Sequence, residues 1–252
     1  MAYYSIYFSP TGGTKRAADI IIETLCRDFI EINLCKELND IEINPDDVCV
    51  ISVPSYGGRV PDIAAQRLRK ISGNGARAIL NCVYGNRAWE DTLTELEDIM
   101  RGGGFRCIGA IAAVAEHSIF RQYAAGRPDE QDETELRDFA LRLRNRLDEN
   151  ISPNLELPGN HGKYKDFGGS PLKPIVDSTI CHGCGICAEE CPTGAIDTNN
   201  PMATDSDRCI SCMRCISICP NHARSLNPEL FQQLEQLIGP RLAGRKQNHL
   251  YL

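Results

Sequence analysis

The chain has 252 residues, of which 42% are hydrophobic and 24% charged, with a net charge of −7 and 13 cysteines. That length allows one domain of ordinary size plus a small one, and the composition is that of a globular protein. The charge is uneven, with 18 basic against 24 acidic residues over 1–150 and 9 against 10 over 151–252, and the absence of a basic stripe argues against nucleic-acid binding.

Residues 3–8 are short, β-rich and followed by Ser-Pro-Thr-Gly-Gly, which predicts a buried strand. Residues 14–26 predict a helix, with Ala17, Ile20, Ile21, Thr24 and Leu25 at helical spacing. Further strands are expected at 29–34, 48–53, 76–84 and 105–115, and further helices at 62–71, 89–100 and 129–147. Five apolar strands alternating with helices predict an α/β fold with a doubly wound parallel sheet. Residues 151–178 change character, with Ser152-Pro153, Leu157-Pro158-Gly159 and Gly168-Gly169-Ser170-Pro171 marking an irregular connector. Residues 228–238 predict a short helix with Leu230, Leu234, Leu237 and Ile238 on one side. The expected layout is a domain at 1–150, a connector at 151–171, a small module at 172–226 and a helix with tail at 227–252. No apolar stretch reaches the length of a membrane span, and the N-terminus lacks the basic and apolar segments of a secretory signal. A cytoplasmic, reducing location is the expectation.

Between the connector and the last helix lies the one internal repeat. Cys181, Cys184, Cys187 and Cys191 are followed by Pro192, and Cys209, Cys212, Cys215 and Cys219 by Pro220, 28 positions later. Each run reads C-x2-C-x2-C-x3-C-P, the bacterial iron–sulfur spacing. Three cysteines on one tight loop wrap one face of a cubane, and the fourth thiolate comes from elsewhere. In two-cluster ferredoxins the fourth cysteine of each run ligates the other cluster. Carried over, Cys181, Cys184, Cys187 and Cys219 hold one [4Fe–4S] cluster, and Cys209, Cys212, Cys215 and Cys191 the second. Zinc needs no third cysteine and trailing proline, and disulfides suit a secreted chain. Ser211 and Met213 stand where the first run has Gly183 and Gly185, so the two clusters would differ in surroundings. The other cysteines, at 26, 35, 49, 82 and 107, read as small buried hydrophobes.

Ligands of doubly wound sheets bind outside the carboxyl ends of the strands, at the switch point of strand order. The loop after the first strand carries Ser9, Thr11, Gly12, Gly13 and Thr14, hydroxyls and amides that open a helix and suit an anion. Neither the Rossmann nor the Walker glycine pattern is present, and an ordinary Gly-rich turn with a threonine cap is the competing reading. The loop after the third strand carries Pro54, Ser55, Tyr56, Gly57 and Gly58; the loop after the fourth carries Tyr84, Gly85, Asn86 and Arg87. Trp89 reads as packing at a helix start rather than as a stacking partner. His117 follows the fifth strand and is either a proton donor, a gate between domains or a loop histidine.

The S-x-T-G-x-T pattern after the first strand resembles the phosphate loop of flavodoxins. Together the three loops and the two cysteine runs resemble the flavodoxin-fused dicluster ferredoxins. The resemblance implies a flavodoxin-like five-stranded domain with a smaller C-terminal α+β ferredoxin-like domain, and FMN with two [4Fe–4S] clusters as cofactors. It further implies that Tyr56 lies against the isoalloxazine ring, that the Gly57 peptide faces its N5, and that Tyr84, Gly85 and Asn86 read its pyrimidine edge. The functional expectation is an electron-transfer protein relaying electrons between the clusters and FMN, with a ferredoxin-type donor or an oxidoreductase acceptor as partner. The alternatives are an FMN-dependent oxidoreductase reducing a small substrate with electrons fed through the clusters, and a cluster-only subunit or redox sensor. No catalytic residue is assigned.

Overall fold

The structure, a computed structural model, describes residues 1–147, 149 and 154–252; the connector mark Ser152-Pro153 lies outside the described residues. The elements in chain order are β1 (Tyr3–Tyr7), α1 (Gly13–Leu25), β2 (Ile30–Asn33), β3 (Ile41–Glu42), β4 (Val48–Pro54), α2 (Asp62–Leu68), β5 (Ile71–Ser72), β6 (Arg77–Tyr84), α3 (Thr92–Gly102), β7 (Arg106–Val114) and α4 (Glu130–Arg144). There follow β8 (Ile175–Val176), α5 (Ile186–Glu189), α6 (Arg214–Ser217), β9 (Arg224–Ser225), α7 (Pro228–Leu242) and β10 (His249–Tyr251).

The main sheet runs β10-β7-β6-β4-β1-β2. Its five expected strands, β1, β2, β4, β6 and β7, pair in parallel. Numbered among themselves they follow the order 2-1-3-4-5, which is the flavodoxin-like arrangement. The strands read as continuous apolar runs because both faces are covered. Val48, Val50, Ile79 and Ile111 pack with α1 and α4 through Ile21, Leu136 and Leu143. Cys49, Ile51, Leu80 and Ala112 face the other way, against Ala64 and Leu68 of α2 and Leu93 and Leu96 of α3. Alternation along each strand thus feeds two cores. Asp129 caps α4 with a reciprocal capping box to Asp132, as a polar residue ahead of an acidic first turn favours.

Two features extend this plan. The short parallel pair β3 and β5 was not expected, because two-residue strands carry too little pattern. More consequentially, the sheet has a sixth strand. β10 returns from the C-terminus and pairs antiparallel with β7, Leu250 opposite Ile111. The tail expected at 227–252 is therefore part of the first domain's sheet. It is pinned by Asn248, whose side-chain oxygen accepts from the Val114 N–H at 2.9 Å and whose amide donates to Asp132 at 2.9 Å. Helix α7 also runs to Leu242, beyond the 228–238 expected.

The cysteine repeat is a repeat of backbone conformation. Positive φ angles occur at Gly183, Gly185 and Gly194, and at the equivalent Ser211, Met213 and His222. The fourth cysteines match too: Cys191 Sγ accepts from the Ala195 N–H and Cys219 Sγ from the Ala223 N–H, each at 3.3 Å. The geometry imposed by the repeat thus overrides the usual αL penalty at three non-glycine residues.

Candidate redox site

Two hollows lie in the C-terminal module. Cys181, Cys184, Cys187 and Cys219 line one; Cys191, Cys209, Cys212 and Cys215 line the other. Each hollow takes three cysteines from one run and the fourth from the other run. Among the described residues no three Cys, His, Asp or Glu side chains converge tightly enough to hold a single metal ion. Four thiols around a wider hollow are the donor set of a cubane, so the residues fit the cluster. The hollows differ in exposure. Each holds one buried cysteine, Cys187 in the first and Cys212 in the second, but the first also has the exposed Cys184, whereas Cys212 has the buried Ser211 and Met213 beside it.

At the carboxyl edge of the sheet lies a cleft of about 360 Å³. The three expected loops reach it through Thr11, Gly13 and Thr14, through Pro54, Ser55, Tyr56 and Gly57, and through Tyr84, Gly85 and Arg87. Four expected residues do not line it. The Ser9 hydroxyl accepts from the Lys15 N–H at 2.9 Å and so caps α1 from below. Gly12 is the N-cap residue, at φ 94°. The side of Gly58 is filled by Glu90, whose carboxylate would lie 2.0 Å from an added Cβ. Asn86 is buried and donates to the carbonyls of Leu242 and Gly244 at 2.5 and 2.6 Å, holding the end of α7 instead of facing the cleft. Tyr84 lines the cleft, but its hydroxyl donates to the Gln247 carbonyl at 2.7 Å, and Trp89 packs between Tyr84 and His249. Arg87 lines the cleft while paired with Glu90 at 2.9 Å.

The first loop fits an anion. Lys15 is turned to Asp19 and Glu31, and Arg16 to Glu133, so the lysine and arginine in the first turn of α1 point elsewhere. The amides of Gly12, Gly13 and Thr14 have no protein acceptor among the described residues. Unpaired first-turn amides at a helix N-terminus are a neutral phosphate cradle.

The residues of three further walls are not legible in the sequence, although the length of the 151–178 connector leads to the expectation that the cysteine module folds back over the cleft. The connector supplies Lys165, Phe167 and residues 169–172; the second cysteine run supplies Ile210 and Ser211; α7 supplies Leu234, Ile238 and Arg241. The connector is strapped to α3. Asp91 accepts from the Asn160 N–H at 3.1 Å, Asp98 takes His161 at 2.7 Å and the Tyr164 hydroxyl at 2.5 Å, and Glu90 takes Lys165 at 2.7 Å. Arg87 beside Glu90 pulls its carboxyl down to about 2, burial opposing and Lys165 assisting. The two aromatics of the connector, Tyr164 and Phe167, were the only available signal.

The cysteine module sits against this edge through buried polar contacts. Arg67 donates to the carbonyls of Leu34 and Pro192, both at 2.8 Å. Arg214, within the second run, donates to the Pro10 carbonyl at 3.2 Å and pairs with Glu190, which also takes Lys36. Ile210 lines both the cleft and the Cys191/Cys209/Cys212/Cys215 hollow. Burial, with Cys212 and Cys35 nearby, raises the Tyr56 hydroxyl well above its ordinary pKa.

Comparison with known proteins bears on both halves. The "4Fe-4S dicluster domain" family matches residues 173–220. The pyruvate synthase subunit PorD of Methanocaldococcus jannaschii is 38% identical over 68 residues, covering 26% of this chain and 79% of that protein. The thiosulfate reductase electron transfer subunit PhsB of Salmonella typhi is 47% identical over 53 residues, but these span only 28% of its length. A flavodoxin from Streptococcus pneumonia overlays 58% of this chain and 99% of its own at 18% identity, with a TM-score of 0.42. The strand order, not that overlay, assigns the fold of the first half. By its cysteine module the chain belongs to the [4Fe–4S] dicluster ferredoxin family, an electron-transfer family, and it carries that module behind a flavodoxin-like sheet.

Proposed function

We propose that the chain relays electrons between FMN in the cleft and two [4Fe–4S] clusters, one on Cys181, Cys184, Cys187 and Cys219, the other on Cys191, Cys209, Cys212 and Cys215. In this reading residues 1–150 form the flavin domain and 172–226 the cluster domain. The phosphate lies on the amides of Gly12, Gly13 and Thr14, and the ring lies between Tyr56, Gly57, Gly85 and the connector. FMN supplies an exchange between one- and two-electron chemistry that the clusters lack.

The observation that carries the reading is the shared wall at Ile210, which puts the Cys209–Cys212 loop at the cleft edge. That gives the clusters an order. In this reading the hollow with exposed Cys184 serves a redox partner protein, and the hollow that shares Ile210 with the cleft serves the flavin. A low-potential ferredoxin-type donor is the partner class that suits such a cluster.

The test is anaerobic purification with iron, sulfide and flavin assays, followed by reduction kinetics. About eight irons with one FMN per chain support the relay, because each cubane holds four irons. Cys212→Ser should stop FMN reduction by a ferredoxin-type donor while the flavin remains bound. Flavin reduced at an unchanged rate in that variant would refute the order, and eight irons with no flavin uptake would refute the FMN site.

A further inference from the structure

His117 was left with three possible roles by its sequence. Its surroundings make it the hydrogen-bonded loop histidine and leave its second ring nitrogen without a protein partner among the described residues. The ring Nδ1 accepts two backbone hydrogen bonds at 3.1 Å, from the amides of Ile119 and Phe120. An accepting Nδ1 carries no proton, so the neutral ring carries its hydrogen on Nε2. The ring is fixed on two further sides. It packs on Phe120, with centroids 5.4 Å apart, and it lies so close to Gly85 that an added Cβ there would meet His117 Cδ2 at 2.9 Å. The side chain lines the cleft, and Nε2 has no protein partner among the described residues.

We propose that His117 presents a fixed Nε2–H donor to an acceptor on the pyrimidine edge of the flavin ring. The inference rests on the FMN reading of the cleft. Gly85 is the peptide which that reading sets beside the pyrimidine edge, and Gly85 is the backbone His117 touches. The geometry also excludes the other two roles. A proton donor must give up its proton and recover it, whereas this ring is held as one neutral tautomer by two amides. Burial, with Arg87 nearby, lowers its pKa to about 4, so the ring stays neutral at physiological pH. A gate must turn, whereas this ring is wedged between Gly85 and Phe120 with its Nδ1 tied. His117 is therefore a residue that positions and polarises the ring. A donor at the pyrimidine edge favours the flavin state that carries more negative charge there, which is the reduced one.

The test uses the cluster-loaded chain freed of flavin. Nitrogen-15 imidazole spectra should show Nδ1 unprotonated and the hydrogen on Nε2 before any flavin is added. Flavin titrations then compare wild type with His117→Phe, which keeps the ring volume, and His117→Gln, which restores a donor near Nε2. His117→Phe should weaken both FMN and riboflavin about tenfold, the usual worth of one hydrogen bond at a buried acceptor. The loss should be greater for the reduced flavins, and His117→Gln should recover most of it. An equal loss for FMN and riboflavin locates the contact on the ring and not on the phosphate. If wild type takes up no flavin, the FMN reading fails and this proposal with it. If wild type binds FMN but His117→Phe binds it equally well, or if the spectra place the hydrogen on Nδ1, the proposal alone is overturned.

Discussion

Replacing Gly57 with alanine tests the connector wall. Gly57 and Gly58 have φ of 62° and 90° and form a two-residue turn closed by the Tyr56 and Arg59 backbones at 3.0 and 3.2 Å. A Cβ on Gly57 would lie 2.0 Å from Phe167 Cδ2, so the ring must leave. Phe167 is 40% exposed and thus keeps most of its surface against the cleft edge. If roughly 100 Å² of ring is covered, its release costs about 2–3 kcal/mol at ~25 cal/mol per Å². The left-handed φ adds about 1 kcal/mol for a residue with a Cβ. Gly57→Ala should therefore cost roughly 3–4 kcal/mol of connector closure, and Phe167→Ala about 2–3. The double variant should cost about 3–4 kcal/mol rather than the sum, since both changes remove one contact. The assay is amide hydrogen exchange at Asn160 and Lys165, whose N–H groups donate to Asp91 and report the closed strap. Additive effects in the double variant, or unchanged exchange at Lys165 in Gly57→Ala, would refute the wall.

Three further outcomes are expected. Asn86→Ala removes donors from the Leu242 and Gly244 carbonyls, should cost roughly 2 kcal/mol, and should free the tail first. Exchange at Leu250 should then accelerate while that of β4 stays unchanged; parallel acceleration in both would indicate global loss instead. Arg67→Met strips the bonds to Leu34 and Pro192 at the buried seam between the two halves and should cost about 2–4 kcal/mol. It should speed loss of the cluster absorbance under mild denaturant, and an unaltered rate would show that the seam is held elsewhere. Glu90 has a depressed folded pKa, so its clasp on Lys165 is complete above its ordinary 4.5 and fades as pH falls toward about 2. Protection of the Lys165 amide should fall over that window in wild type and less steeply in Glu90→Gln; superimposable profiles would sink the assignment.

Much of this architecture was legible in residue order because its signals are local. A run such as VCVISVP, apolar on both sides, can only be a strand covered on two faces. The cysteine spacing, carried over from two-cluster ferredoxins, implied a cross-ligated pair, and the two hollows group the cysteines in that way. Even the substitution of Ser211 and Met213 for glycine left the backbone unchanged, because closure around the hollow outweighs the local strain. Asn86 misled for the opposite reason. Its position after β6 matches a ring contact, but a tail 156 residues further on claims its side chain.

The sequence by itself determined the parallel sheet and the two cluster-type cysteine runs, which follow from periodicity and short-range spacing, and it pointed to the loop after β1 as a candidate anion site. Only the tertiary structure decided what closes the cleft. The strap of Lys165 and Phe167, the Ile210 wall and the α7 wall come from segments distant in sequence. Each is placed by buried or clustered polar partners: Arg67 and Asn86 donate to carbonyls that the fold leaves unsatisfied, and Asp91 and Asp98 accept from donors of the connector.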